Sequence, residues 1–382
     1  MQILHSRCCG LDVHQRTVVA CVLIITEDGE VLDQTRSFST MTADLLALGD
    51  WLVSLGVTHA AMESTGVYWK PVFHLLEDRL EVMLVNAQHI KRVPGRKTDV
   101  KDAQWIAELL QHGLLKPSFV PPPPIRELRD LTRQRTILTR ERATVINRVQ
   151  KVLEDANVKL AGVASDCLGV SGRAMIEAII RGEDDPEKLA DMARKRLRNK
   201  IPELRQAMQG RVTDHHRFQL KMLLRQLDQD AALIAEYDER IEKAMVPFEA
   251  AAARLETIPG ISRKSAEVIV AEIGTDMERF ATHGHLASWA GLCPGNNQSG
   301  GKRHSGRTTK GNQWLRTMLV QVAWAAVHAK ATIFRERYGR WSKRMGKKKA
   351  LVAVGHKILS LIHLLLKNEL DYQELYVAPK AA

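Results

Sequence analysis

The chain of 382 residues predicts an α/β layer at its N-terminal end, a long helical middle and a mostly helical C-terminal part. Three observations carry that prediction. Apolar runs of strand character alternate with amphipathic helical patterns before residue 120. Four consecutive prolines at 121–124 then close this part, because neither a helix interior nor a central strand absorbs such a run. Beyond them apolar residues recur every seven positions, at Leu131, Leu138, Val145 and Val152 and again at Leu220, Leu227, Ile234 and Ile241. That spacing predicts two long helices, paired with each other in one chain or with a second copy as a coiled coil. The expected domains are 1–120, 125–245 and 250–375, and the length suffices for two or three cores.

Within the first part the strands are expected at VVACVLII (18–25), VLDQTRSF (31–38), HAAME (59–63) and EVMLVN (81–86). Helices are expected at 42–55, 68–79 and 99–112. Strands that first form a meander and then alternate with helices give an α/β layer fold, whose sites gather at strand ends and at nearby helix starts. Four carboxylates fall at such places: Asp12 in CGLDVH, Glu63 in AAMESTGVYW, and Asp99 with Asp102 in GRKTDVKDAQWIAELL. Asp99 and Asp102 are three apart at a helix start, so both project from one face and could grip one ion. Each acid taken alone reads more readily as a turn or cap residue than as a ligand. Together they form a hard oxygen set of the kind that holds Mg²⁺ or Mn²⁺ against phosphate oxygens.

Charge points the same way. Lys and Arg number 56 against 44 Asp and Glu, a formal charge of +12. The excess is concentrated late: from Lys302 to Lys349 the only acid is Glu336, and Trp314, Phe334, Tyr338 and Trp341 are interleaved with the cations. Phosphate contact and base stacking explain so lopsided a run better than a solvated face does. The nucleic-acid contacts expected from it are Lys302, Arg303, Arg307, Lys310, Arg316, Lys347, Lys348 and Lys349. The segment PGNNQSGGKRHSGRTTKGN has no apolar content to pack and holds five glycines, so it is expected as a loop facing solvent or ligand. LETIPGISRKSAEVIVAEIG reads either as a helix-hairpin-helix presenting N–H groups to phosphate or as an ordinary helix–helix turn.

The segments GLDVH, MESTGVYW, NAQHIKRVPGRKTDVKDAQWIAELL, IPGISRKSAEVIVAEIG and GLCPGNNQSGGKRHSGRTTKGNQWLR resemble the DEDD insertion-sequence transposases of the IS one-ten family, relatives of the Piv-type DNA invertases. The resemblance spans nearly the whole chain. It implies an N-terminal RuvC-like domain of the RNase H fold and a C-terminal transposase domain carrying a nucleophilic serine. Asp12, Glu63, Asp99 and Asp102 would then be the metal-binding tetrad, and Ser299 of QSGG the serine. It also implies donor and target DNA as partners, a noncoding bridge RNA as guide, and a phosphoserine intermediate in strand exchange. Because the two parts lie on separate domains, a homo-oligomer, dimer or tetramer, is expected to assemble the site.

Two other readings use the same residues. In a metal-dependent nuclease or Holliday-junction resolvase the carboxylates act alone and Ser299 is a turn residue. A sugar-kinase-like ATPase would need a second Gly-rich phosphate turn, which the sequence lacks. The five cysteines, Cys8, Cys9, Cys21, Cys167 and Cys293, form no CxxC pair and there is no HExxH, so zinc is not expected and reduced buried thiols are. No signal peptide is read, and LVAVGHKILSLIHLLL at 351–366, broken by His356, Lys357 and His363, is expected as a buried helix rather than a membrane span. A cytoplasmic, nucleoid-associated protein is the corresponding expectation.

Overall fold

The computed structural model describes residues 3–64, 66–87, 102–295, 297–305, 307–330 and 332–372, with the side chains of 297–299 and 303–305 outside the description. The chain divides into two compact units, Met1–Val120 and Pro121–Ala382.

The first unit is built on a five-stranded sheet of order β3-β2-β1-β4-β5, from β1 (Arg7–Val13), β2 (Thr17–Ile25), β3 (Val31–Ser39), β4 (His59–Glu63) and β5 (Glu81–Val85). β1, β2 and β3 form the antiparallel meander, while β4 pairs parallel to β1 and β5 parallel to β4. β1 was not among the expected strands. Its sequence RCCGLDV is short and broken by glycine, yet it is the central strand, because Cys8, Cys9 and Leu11 are wholly buried.

Side-chain alternation assigns the two faces of this sheet. Cys9, Leu11, Ala60 and Met62 pack on the side of α1 (Thr42–Ser54) and α2 (Trp69–Leu76). Cys8, Cys21, Ala61 and Val85 pack on the side of α3 (Asp102–Gln111), against its Ala103, Ile106, Ala107 and Leu110. Cys8, Cys9, Cys21 and Cys167 are buried thiols, and burial pushes the Cys8 thiol up to about 12. Such thiols pack; they do not react.

The second unit begins with α4 (Pro123–Asp155), which is about 50 Å long at 1.5 Å per residue. Its prolines occupy the first helical positions, where a missing N–H costs nothing. α5 (Leu160–Val163), α6 (Val170–Ile180), α7 (Pro186–Asp191) and α8 (Ile201–Ala207) follow, then α9 (Asp214–Met245). α4 and α9 run antiparallel: His216 Nε2 lies 3.0 Å from Asp155 Oδ2 at one end, and Arg135 Nη1 donates to Asp238 at 2.9 Å toward the other. Of the two arrangements open to the heptads, these residues adopt the intramolecular one. The buried stripe of α4 includes Thr132 and Arg135 beside Leu138, Val145, Val149 and Leu153, so it departs from an unbroken apolar seam. α5 to α8, in the stretch for which the sequence suggests no chemistry, cover the far end of the pair through Leu160, Met175, Ile176, Leu189 and Leu204.

The chain continues through α10 (Glu249–Glu256), α11 (Arg263–Ile273) and α12 (His283–Trp289), a two-stranded ribbon of β6 (Asn297–Ser299) and β7 (Lys302–Ser305), and α13 (Gln313–His328), α14 (Ile333–Met345) and α15 (Lys347–Asn368). The Pro-Gly-Ile turn between α10 and α11 packs inward. A Cβ on Gly260, at φ +94°, would stand 2.7 Å from Val322 O and 2.6 Å from Ala326 N, so this face of the turn lies on α13 as an ordinary helix–helix turn would. α15 is long and apolar enough to cross a membrane by length and composition. Val354, Ile358, Leu359, Ile362 and Leu365 along it are wholly buried, and His363 Nε2 meets Phe280 O at 2.9 Å.

Candidate active site

β1 and β4 are parallel neighbours paired from Cys8 with His59 to Leu11 with Met62. Asp12 and Glu63 are the next residues in that register, at the carboxyl ends of adjacent strands. By alternation both belong to the face that carries α3, since Gly10 and Ala61 two residues earlier lie on it. Asp102 is the first residue of α3.

What sets α3 so close is Gly10. A Cβ at this position would lie 2.0 Å from Ala103 O and 2.4 Å from Ala107 N, so helix backbone rests directly on strand backbone. Ala103 and Ala107 are the matching small residues on the helix. In the sequence CGLDVH only the aspartate stood out, and neither Gly10 nor His14 did. His14 Nε2 stands 3.1 Å from Asp12 Oδ2, on an exposed ring beside a mostly buried carboxylate.

The electrostatics agree with the geometry. Burial pushes the Asp12 carboxyl above its ordinary range; Asp102 and Glu63 add like-charge repulsion in the same direction, and His14 opposes it. Three of the four expected carboxylates therefore share one electrostatic site, and Asp99 lies outside the described residues. Among the described residues no three His, Cys, Asp or Glu side chains stand at ligand spacing. The donor set still fits a hard divalent ion: it is all oxygen, it is crowded with like charge, and a cation would relieve both that repulsion and the raised proton affinity of Asp12.

In the second unit the glycine-rich segment is a β-ribbon rather than the open loop expected from its polarity. β6 and β7 are joined by Gly300 and Gly301, both at positive φ (56° and 75°), which is the two-residue hairpin turn that matches strand twist. Ser299 pairs with Lys302 across that turn, so the serine occupies the last strand position before the ribbon tip. The Gly-Gly pair was the readable signal for this hairpin.

The ribbon has a firm root. Gly295 N donates to Arg307 O at 2.8 Å, Pro294 bridges Thr308, and Gly291 and Gly311 meet back to back with no room for a Cβ on either. Asn312 caps α13 by accepting from Leu315 N and donates through Nδ2 to Glu272 Oε2 at 2.6 Å. Glu272, wholly buried, also accepts from Arg133 at 2.7 and 2.8 Å, while Arg129 donates to the Glu272 carbonyl at 2.7 Å. The exit of the ribbon is thus tied to the long helix α4. Nothing in the sequence singled out Glu272.

Of the expected nucleic-acid contacts, Lys302, Arg307, Lys310, Lys347, Lys348 and Lys349 are exposed and Arg316 is half-buried; the Arg303 side chain lies outside the description. Lys347, Lys348 and Lys349 fill the first turn of α15, whose N-cap Gly346 offers no side-chain cap. Three cations at the positive end of a helix dipole oppose one another and the dipole, a cost that bound phosphate removes.

The chain is similar in sequence to known transposases. A family model described as "Transposase", for the DEDD IS110 group, matches residues 9–158, and one described as "Transposase IS116/IS110/IS902 family" matches residues 252–339. The transposase for insertion sequence element IS1111A of Coxiella burnetii is 25% identical over 333 residues, 84% of this chain and 81% of that protein. A putative transposase of Sinorhizobium fredii is 28% identical over 253 residues, covering 63% of this chain and 57% of its own length. The pilin gene-inverting protein of Moraxella bovis is 29% identical over 126 residues, 32% of this chain and 39% of its own. These matches define a DNA transposase, an enzyme acting on DNA with a divalent metal. More narrowly, the chain belongs to the IS110 family of insertion-sequence transposases.

Proposed function

We propose that the chain cuts and exchanges DNA strands through a phosphoserine, using Asp12, Glu63, Asp99 and Asp102 as the metal-binding set and Ser299 as nucleophile. The observation that carries this reading is the placement of Asp12, Glu63 and Asp102 on one face of one sheet end, where burial first, and then the charges of Asp102 and Glu63, raise the proton affinity of Asp12. In this reading the first unit is a RuvC-like domain of the RNase H fold, followed by a helical domain over 125–245 and a transposase domain over 250–375. Bound Mg²⁺ or Mn²⁺ would supply charge neutralisation at the scissile phosphate.

The serine step balances without a cofactor. The Ser299 Oγ–P bond forms as one P–O bond to deoxyribose breaks; the hydroxyl proton leaves Ser299 and the departing sugar oxygen ends as a hydroxyl. The DNA remains esterified to the chain. Attack by a hydroxyl of another strand reverses the chemistry and joins new ends, so the phosphodiester bond energy is conserved. Gly300 and Gly301 let backbone approach the phosphate, and Lys302, Arg303 and Arg307 are placed in sequence to offset charge on the pentacovalent phosphorus.

Lys310, Arg316, Lys347, Lys348 and Lys349 complete the phosphate contacts. The partners in this reading are donor and target DNA and a noncoding bridge RNA that pairs with both. The working form is a homo-oligomer, dimer or tetramer, whose assembly delivers Ser299 to the scissile phosphate, and the setting is the bacterial cytoplasm. The test is strand transfer in excess chelator and with Asp12→Asn, Glu63→Gln and Asp102→Asn. Activity should vanish in every case while DNA binding persists. Full recombination in chelator removes the carboxylates from the chemistry.

A further inference from the structure

The base of the ribbon, α13, the end of α14 and the first half of α15 enclose a cleft of about 1290 Å³. This exceeds the roughly 300–1,000 Å³ that suits a small ligand. Its composition is divided. Leu292, Pro294, Met345, Val352 and Ala353 give it an apolar floor with the half-buried Trp341 at the wall, and Arg307, Arg316, Arg344, Lys348, Lys349 and Lys357 supply six cations. No carboxylate lines it among the described residues.

We propose that this cleft binds an unpaired segment of the DNA substrate, with bases against Trp341 and the apolar floor and phosphates on the cations. The inference rests on the nucleic-acid reading above and sharpens it to one form of DNA. A duplex turns its base faces inward and presents phosphates and groove edges, which would leave the apolar floor unmatched. An unpaired strand presents an apolar base face and a charged backbone together, the combination that single-strand grooves recognise. A free phosphate would use the cations and leave Trp341 idle. Position supports the choice: Pro294 and Thr308, which line the cleft, are also the bridge at the ribbon root. A strand lying in the cleft therefore passes beside the ribbon that ends at Ser299, and strand exchange must unpair DNA near the cut.

The experiment measures binding by the full chain, by fluorescence anisotropy, of labelled oligothymidylate, a duplex of equal length and an oligouridylate. Trp341→Ala should weaken oligothymidylate binding about 5- to 150-fold, the effect of losing one stacked base, and change duplex binding less than about twofold. Trp341→Phe should keep most of the affinity. Val352→Glu, which places a carboxylate on the floor without removing the aromatic ring, should also weaken single-strand binding selectively. Circular dichroism on each variant separates unfolding from weakened binding. Equal losses on duplex and single strand, or no effect of Val352→Glu, overturn the proposal and leave the nucleic-acid reading standing. Trp341-dependent binding of the RNA in preference to DNA overturns the choice of DNA. A wild-type chain that binds none of the three probes sinks the nucleic-acid reading and this proposal with it.

Discussion

Gly10→Ala perturbs the carboxylate site without touching a carboxylate. The added methyl would sit 2.0 Å from Ala103 O, whereas ordinary contact begins at 3.4 Å, so α3 and β1 must part by about 1.4 Å. Both partners are backbone and cannot swing aside. Asp102 is the first residue of the displaced helix and Asp12 lies two residues along the strand, so their separation changes by a similar amount. A misplacement of about 1 Å in a catalytic constellation costs about 10²-fold in rate, and overpacking costs about 1–3 kcal/mol in stability. Strand-transfer rate and thermal melting, measured with Gly162→Ala as control, check both figures. Gly162 has nothing within 4 Å of its Cβ position and negative φ, so its substitution should be close to neutral. A Gly10→Ala protein with the wild-type rate would refute the argument that this contact positions Asp102.

Asp12→Asn should abolish activity yet stabilise the chelated protein at neutral pH. The raised folded-state pKa means that the stability Asp12 contributes at low pH is lost as pH rises through that pKa, and the amide escapes the loss. Melting curves in chelator should therefore separate above the ordinary carboxylate range and converge below it. Glu272→Ala leaves the half-buried Arg133, and Asn312, without their carboxylate partner and should destabilise the second unit by about 1–3 kcal/mol in denaturant titration; less than about 0.5 kcal/mol would show that the network is not structural. Neutralising Lys347, Lys348 and Lys349 together should weaken binding to all DNA sequences and lower the salt-dependence slope by about 0.9 for each phosphate that no longer meets a cation. An unchanged slope places these lysines on a solvated face.

The sheet was legible where strands are apolar and uninterrupted: β2, β3, β4 and β5 and helices α1 and α2 fall where VVACVLII, VLDQTRSF, HAAME, EVMLVN and the intervening patterns predict them. β1 escaped because Gly10 lowers its strand character for the same reason that makes it useful, the absence of a side chain under α3. The ribbon escaped because NQS and KRHS lack apolar alternation, and only Gly300-Gly301 betrays the turn. Asp12, Glu63 and Asp102 were legible as acids at element ends, since such ends collect ligands. Glu272 was not, because its partner Arg133 is 139 residues away and an acid within AEVIVAEIG reads as one more exposed helix residue.

The proposed phosphoserine gives the most direct measurement. Labelled DNA substrate, incubated with the chain and divalent metal and then run on a denaturing gel, should show DNA covalently attached to protein, with the adduct mapping to the peptide that contains Ser299. Chelator and Ser299→Ala should each remove it, and Ser299→Ala should leave the melting temperature unchanged, because a Cβ on Gly300 or Gly301 in the adjoining turn would meet nothing within 4 Å. An adduct on Ser305, Thr308 or Thr309 would keep the mechanism and move the residue. Free DNA ends with no adduct, together with wild-type recombination by Ser299→Ala, would contradict the account.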